Sequence, residues 1–500
     1  MVTRRLHVVA GGSVQGVGFR PFVYRAAVRL HLTGWVRNTA SGVAMELEGA
    51  EVALAEFLAT LHRDKPPRAV IHTVQHAYLD PLGHAGFHIL QSDDEGSKST
   101  QVLPDIATCA ECLAEIRCAS DRRYRYPFTT CTDCGPRFSI IQSLPYDRVA
   151  TTMATFSMCA ACKAEYQDPQ SRRFHAQPNA CPDCGPRLEL WDPSAQALAA
   201  GDAALRYAAE AIRSGATVAL KGIGGFQLVV DARNGRSVER LRARKRREAK
   251  PLAVMYPCLE SVQDECVVSE EEVHLLTSPQ APIVLLTRRG TVSVCGSVAG
   301  PAPTLGVMLP YTPLHHILLD DLCFPVVATS GNVTDDPICT DQDEAVERLG
   351  GIADFLLVHD RPIARHVDDS VVRVFLRREV VLRRARGYAP SPVAAMTTGS
   401  RGTSILGVGA HQKNAVAMTS DNGIVISQHI GDLESAAAHR SFRSVVADLS
   451  RLHDYGASIV VHDLHPDYSS TRYAKSCRIP RVAVKNHHAQ VAACMADTEI

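Results

Sequence analysis

The apolar positions of residues 1–90 change period in an order that spells out a fold. LHVVAGGSV alternates like a strand running into a glycine-rich turn, and RPFVYRAAVRLHL repeats its apolar positions at helical spacing. GWVRNTASGVAMELEG returns to alternation and predicts two strands joined at Ser41-Gly42. EVALAEFLATLHR predicts a second amphipathic helix, and VIHTVQHAYL with FHIL supplies the remaining strand. The order β-α-β-β-α-β is the ferredoxin-like arrangement, and the polar stretch QSDDEGSKST (91–100) after it is expected to be linker. From 200 to 390 helical segments (ALRYAAEAIRSG, SVERLRARKRREA, DEAVERLGG) alternate with short apolar runs (ATVALKG, PLAVMY, PIVLLT, PVVATSG, FLLVHD), an α/β pattern. APSPVAAMTTGSRGTS (389–404) is a second expected linker. Beyond it come hairpin strands around Asp421-Asn422-Gly423, a helix (AAAHRSFRSVVADLSRLHDY) and a buried strand (SIVVHD).

Composition narrows the class. Apolar residues at 46% and charged residues at 21% exclude a disordered chain. Lys plus Arg and Asp plus Glu number 53 each, so no net field draws the chain onto nucleic acid or an anionic membrane. No apolar run approaches the roughly 18 residues of a membrane span, and MVTRRLHVV lacks the pattern of a secretory signal. A cytoplasmic location is expected.

Eight of the 16 cysteines change that picture, because they form four Cys-x-x-Cys pairs inside residues 104–190. Cys109, Cys112, Cys131 and Cys134 recur 50 positions later as Cys159, Cys162, Cys181 and Cys184. The neighbours move with them: Arg122-Arg123-Tyr124 becomes Arg172-Arg173-Phe174, and CGPR at 134–137 returns at 184–187. This is a duplicated module with the spacing of four-thiolate zinc sites. Two structural zinc ions are expected, since four thiolates leave no open coordination position. The spacing alone admits contiguous or interleaved pairing of the knuckles. His175 is expected to be a packing or surface residue rather than a further ligand.

GGSVQGVGFRP (11–21) places glycines at 11, 12, 16 and 18 ahead of Arg20 and Pro21, where backbone N–H groups and a helix start can converge on a phosphate. On glycines alone it reads as a tight strand-to-helix turn. VQGVGFR followed by GWVRN closely resembles the acylphosphatase family over residues 1–91. The resemblance implies that Arg20 binds the phosphate of an acyl phosphate and that Asn38 orients the attacking water. That chemistry needs positioning and charge neutralisation but no covalent nucleophile.

The run Arg240–Lys250 holds seven basic residues and one acid, Glu248. Such a run is ordinarily a solvated helix face or a nucleic-acid patch. Continued as KRREAKPLAVM and joined by ATSGN at 328–332, it resembles the YrdC/Sua-type fold, which adenylates a carbamate with ATP. On that resemblance Lys245, Arg247 and Lys250 neutralise triphosphate and carboxylate charge, and Ser330 and Asn332 hold nucleotide phosphates. KGIGGFQL and LPYTPLHH fit as pocket-lining segments of the same fold.

The succession of modules, ending in ILGVGAHQKN and HDLHPDYSSTRYA, resembles the HypF carbamoyltransferases of [NiFe]-hydrogenase maturation. The implied architecture is multidomain α+β and α/β. It comprises a ferredoxin-like acylphosphatase domain (1–91), the duplicated zinc module (104–190), a YrdC-like α/β domain (200–390) and an incomplete C-terminal domain of actin-like ATPase fold (403–500). The implied activity is a relay. Carbamoyl phosphate is hydrolysed, carbamate and ATP, with magnesium, give carbamoyl-adenylate and pyrophosphate, and the carbamoyl group passes to the C-terminal cysteine of HypE. There it becomes the precursor of the cyanide ligands of the active-site iron. Carbamate decomposes readily in water, so a protected path between the first and third modules is expected.

Two departures stand against the family pattern. The family's last domain continues beyond the end of this chain. The family's metal-binding cluster His-His-His-Ala-His also reads here as Asn486-His487-His488-Ala489-Gln490. Neutral amides are poor substitutes for imidazole toward a transition metal, so no metal is expected there. The competing reading is a zinc-ribbon, YrdC-type protein binding tRNA or another RNA through 240–250. The neutral net charge and only two Trp count against an extended RNA surface. A third reading, an acylphosphatase without ATP chemistry, shares only the first module.

Overall fold

The computed structural model describes residues 3–93, 101–290, 293–334, 336–393, 403–420 and 423–498. Most of both expected linkers, and Asp421 and Asn422 of the expected hairpin turn, lie outside these residues.

The N-terminal unit consists of β1 (Thr3–Ser13), α1 (Phe19–Arg29), β2 (Thr33–Thr39), β3 (Gly42–Ala50), α2 (Glu51–Arg63), β4 (Val70–Leu79) and β5 (Phe87–Ile89). The sheet order is β4-β1-β3-β2-β5, the ferredoxin-like order with β5 added parallel to β2. Alternation fixes the register. Leu6 and Val8 on β1 pair with Leu47 and Met45 on β3, and all four are fully buried. Val23 and Ala27 of α1 and Leu54, Phe57 and Leu61 of α2 complete that core.

The two finger repeats contain little regular structure beyond α3 (Ala110–Arg117) and α4 (Ala160–Gln167). Each helix starts directly after the first cysteine of its repeat, with Cys109 and Cys159 as the extended N-cap residues.

The third unit is built on a twelve-stranded sheet. Its central strands Val218–Lys221 and Phe226–Asp231 are buried on both faces. Alternate residues enter opposite cores: Val218, Leu220 and Val229 face one way, and Ala219, Leu228 and Val230 the other. Helix α5 (Gly201–Arg213) covers the first face and α6 (Gly235–Lys245) the second. The sheet also takes in Leu188–Trp191 and Ala197–Ala200, so it begins inside the segment (104–190) that the internal repeat assigned to the fingers.

The continuous helix expected through SVERLRARKRREA ends early. Lys245 is the last helical residue of α6, and Arg246 adopts a left-handed conformation at φ 55°. The break turns the chain back, and Arg242 donates to the carbonyls of Arg247, Glu248 and Lys250.

The C-terminal unit is a six-stranded sheet packed by Ala438, Phe442, Val445, Leu449 and Leu452 of the helix α7 (Ala436–Leu452). These positions fall on one helical face. A last helix, α8 (Asn486–Thr498), is exposed along its described side chains, with Val491 at 60%. Among the described residues no helix is long and apolar enough to cross a membrane.

Phe442 is fully buried in this unit. Phe442→Ala is expected to cost about 3–5 kcal/mol. Urea titration followed by circular dichroism should show the transition of this unit at lower denaturant, with the N-terminal unit unaffected.

Candidate functional site: twin four-thiolate fingers against a phosphate loop

The eight paired cysteines gather into two sets, Cys109/Cys112/Cys131/Cys134 and Cys159/Cys162/Cys181/Cys184, so the knuckles pair contiguously. The Sγ–Sγ separations are 3.7 Å for Cys109–Cys131 and Cys159–Cys181, and 3.8 Å for Cys131–Cys134 and Cys181–Cys184. A tetrahedron with Zn–S bonds of about 2.3 Å has edges of about 3.8 Å, so both donor sets fit zinc. Such an ion would be structural, holding two distant knuckles together.

A zinc ion with four thiolates carries two net negative charges, and each finger answers those of the other. Arg172 and Arg173 of the second repeat donate to Cys112 Sγ of the first at 3.7 and 3.9 Å and pair with Glu115. Arg122 and Arg123 of the first repeat donate to Cys162 Sγ of the second at 3.4 and 3.8 Å and pair with Glu165. The arrangement obeys the same 50-residue shift as the cysteines. Burial pushes the Glu165 carboxyl up, but hydrogen bonds from Arg123 and Arg122 prevail and hold it at about 2. Glu115 is held low in the same way by Arg173 and Arg172.

The first finger reaches the phosphate loop through Arg137, which is 2% exposed. Its Nε donates to Gly16 O at 2.8 Å, and its Nη groups donate to the carbonyls of Cys131, Thr132, Cys134 and Pro136. One guanidinium therefore fastens the loop to the metal knuckle. Gly16 and Gly18 sit at φ 73° and 72°, where a side chain would be strained. A Cβ on Gly16 would also stand 3.2 Å from the Tyr146 ring, and one on Gly18 3.2 Å from Thr132 Oγ1.

Arg20, on the first turn of α1, and Asn38, on β2, come together on one small cavity against the fingers. Arg20 is 8% exposed and pairs with Asp147 at 2.9 Å. Asn38 is 1% exposed; its Nδ2 donates to Tyr146 O at 3.5 Å, and its Oδ1 is buried without a partner.

At the other candidate site Lys245, Ser330 and Asn332 meet. Lys245 Nζ donates to the carbonyls of Ser330 and Asn332 and, at 2.7 Å, to Asn332 Oδ1. Ser330 Oγ donates to the same Oδ1 at 2.7 Å. All three Lys245 donors are thus used within the protein, and burial lowers its pKa to about 7. Lys245 braces the Ser-x-Asn loop. Arg247 reaches Thr329 Oγ1 at 3.4 Å, and Lys250 is exposed on the turn that follows. Lys221, also buried, donates to Gln342 Oε1 and His359 O, and burial brings its pKa down to about 8.

The basic run is partly engaged within the protein, with Arg246 and Lys250 left exposed. Arg240 and Arg244 pair with Asp354, and Arg242 caps backbone carbonyls. Asn486 donates to Asp463 Oδ2 at 3.2 Å, and Gln490 is exposed.

Sequence reasoning missed Arg137, Tyr146, Asp147 and Gln177 around Arg20 and the crossing of the paired arginines; it read His175 as a packing or surface residue, and the ring does pack against Tyr166 and Phe174 while lining the cavity. The shift by 50 that relates Glu115 to Glu165 was the available signal for the crossing.

This geometry defines a class: an acylphosphatase-like unit and a YrdC-like α/β unit clamped by duplicated four-cysteine fingers. Residues 6–89 match the acylphosphatase family, and 108–141 and 158–191 match the HypF finger. Residues 210–385 match the Sua5/YciO/YrdC family, described as telomere recombination, and 400–497 match the HypF Kae1-like domain. The chain is 48% identical to carbamoyltransferase HypF of Synechocystis sp. over 97% of its own length and 63% of that protein's. It is 46% identical to that of Rhodobacter capsulatus, covering 97% of itself and 65% of the relative. Among solved structures, full-length HypF in a phosphate- and nucleotide-bound form superposes with TM-score 0.96 at 42% identity, covering 100% of this chain and 65% of that one. HypF of T. kodakarensis gives TM-score 0.92 at 37% identity, over 99% of this chain and 64% of the other. The chain belongs to the HypF family and spans under two thirds of the length of these relatives. Its first module alone is 44% identical to an acylphosphatase of Moorella thermoacetica, over 95% of that protein.

Two predictions follow from the fingers. Elemental analysis should find two zinc ions per chain, and Cys131→Ser should remove one without displacing the ion of the second set. The Glu165 carboxyl lies at about 2 against an ordinary 4.5, so its contribution is complete above about 4.5 and lost as pH falls toward 2. Glu165→Gln should therefore lower the melting temperature at pH 6, and the gap to the parent should close as the medium is acidified below about 4.5.

Proposed function

We propose that the chain carries out the first two steps of a carbamoyl transfer. At Arg20 and Asn38, carbamoyl phosphate and water give carbamate and phosphate. Arg20 neutralises the phosphoryl oxygens, and the glycine-rich loop presents its backbone N–H groups to the same phosphate. Asn38 orients the water. The observation that carries this reading is the buried, unpartnered Asn38 Oδ1 on the cavity shared with Arg20, an acceptor placed where a water can donate.

At the second site, the carbamate oxygen attacks the α-phosphorus of magnesium-bound ATP, forming carbamoyl-adenylate and expelling pyrophosphate. Arg247 and Lys250 meet phosphate and carboxylate charge, while Lys245 holds Ser330 and Asn332 in place for the nucleotide. The nucleotide- and phosphate-bound form of the homologous HypF supports both ligand classes. In the whole protein, the carbamoyl group is then delivered to the C-terminal cysteine thiolate of HypE for synthesis of the cyanide ligands of [NiFe]-hydrogenase. The setting is cytoplasmic, and a protected path carries carbamate between the sites.

Conversion of ATP to AMP and pyrophosphate should require carbamoyl phosphate, fail in Arg20→Ala, and return in that variant when carbamate is supplied. Acyl-phosphate hydrolysis without any ATP cleavage would leave only the first step.

A further inference from the structure

We propose that the second finger supplies the specificity-determining wall of the Arg20 site, with His175 selecting a small, amide-bearing acyl group. This rests on the reading of that site as an acyl-phosphate hydrolase.

The cavity has two sides. Gly16, Gly18, Arg20 and Asn38 form the catalytic side, and Tyr146, His175 and Gln177 of the finger module face them. The Moorella acylphosphatase aligns only with the first module of this chain, so nothing in that alignment corresponds to the second side.

His175 is held rigidly. Its ring packs between Tyr166 and Phe174 at centroid distances of 4.8 and 4.7 Å. Its backbone is left-handed at φ 53°, with the N–H donating to Tyr166 O at 3.0 Å. Its carbonyl accepts from Gln177 Nε2 at 2.9 Å, and Gln177 Oε1 in turn accepts from Arg148 N and the Tyr166 hydroxyl. Neither ring nitrogen has a hydrogen-bond partner among the described residues, although the residue lines the cavity. Burial, reinforced by Arg20, lowers its pKa to about 4, so near neutral pH the ring is uncharged. A neutral imidazole offers one donor and one acceptor, the complement of an amide.

The enclosed volume is about 20 Å³, little more than the room of one ordered water. An acyl phosphate seated on Arg20 has the finger residues as its opposite wall, and every additional atom on the acyl group works against that wall. Asp147 is not part of the lining, although it pairs with Arg20. It grips the guanidinium from outside the cavity and acts as a positioning residue rather than a competitor for the site.

The test compares hydrolysis of carbamoyl, acetyl and benzoyl phosphate by the parent chain, His175→Ala and His175→Asn, with zinc content as the check on folding. Asparagine tolerates the left-handed backbone and keeps a donor and an acceptor. Both variants should raise kcat/KM for benzoyl relative to acetyl phosphate by about tenfold or more. Only His175→Ala should lose about tenfold of the preference for carbamoyl over acetyl phosphate, in line with the cost of an unmet polar contact. Unchanged benzoyl-to-acetyl ratios in both variants, at full zinc content, overturn the finger-wall inference and leave the hydrolase reading intact. A parent chain that hydrolyses none of the three overturns the hydrolase reading and this inference with it.

Discussion

The reciprocal grip of four arginines on two thiolate clusters is the interaction on which the remaining architecture depends. Arg122 and Arg123 reach Cys162 and Glu165, and Arg172 and Arg173 reach Cys112 and Glu115. Neither finger has a hydrophobic core of its own size to rely on, and each buries charged side chains. Arg123 and Arg173 are almost wholly enclosed. Removing one partner from such a buried pair leaves a stranded charge, a loss of roughly 3–5 kcal/mol. The two fingers therefore behave as one body, and that body touches every other unit.

Its contacts set where the chemistry can occur. Arg137 fastens the phosphate loop by Gly16 O, and Arg117 and Arg125 pair with Asp320 and Asp321 of the third unit. From the third unit, Arg365 donates to Phe138 O in the first finger and pairs with Asp448 of the C-terminal unit. Asp105 holds the turn beside Arg137 by accepting from the backbone of Arg137 and from Ser139. A zinc ion on the four thiolates would stabilise each knuckle, and the hydrogen bonds from Arg137 to the knuckle carbonyls and Gly16 O carry that order outward. The first four-cysteine set thus helps to shape the Arg20 cavity, whose lining includes Thr132 of its knuckle and Arg137.

The two candidate sites use buried charge differently. Arg20 keeps its guanidinium on a cavity and is steadied by Asp147 from behind. Lys245 spends its three N–H donors on the loop that it braces, and burial lowers its pKa to about 7. The first presents its charge to a cavity, and the second keeps Ser330 and Asn332 in register while Arg247 and Lys250 stand nearer solvent.

Much of this was determined by sequence alone. Period-two and period-3.6 alternation gave the element order of the ferredoxin-like unit, and the structure supplied its strand register, in which the buried face of each strand is matched to its neighbour's. Duplication gave the eight candidate cysteine ligands, and the resemblance of VQGVGFR and GWVRN to acylphosphatases singled out Arg20 and Asn38, which the structure brings to one cavity. The early end of α6 at Lys245 was not legible, because helix-forming residues continue past it and the left-handed turn at Arg246 is tied to a distant residue, Thr334, whose hydroxyl donates to the carbonyls of Lys245 and Arg246. Contiguous pairing of the knuckles, the crossing of arginines between repeats and the placement of His175 over Arg20 were likewise decided only in three dimensions. Cys109 and Cys131 lie 22 positions apart and Arg122 and Cys162 lie 40 apart, while His175 meets Arg20 only because two separately folded units face one another, and local periodicity carries no information about any of these.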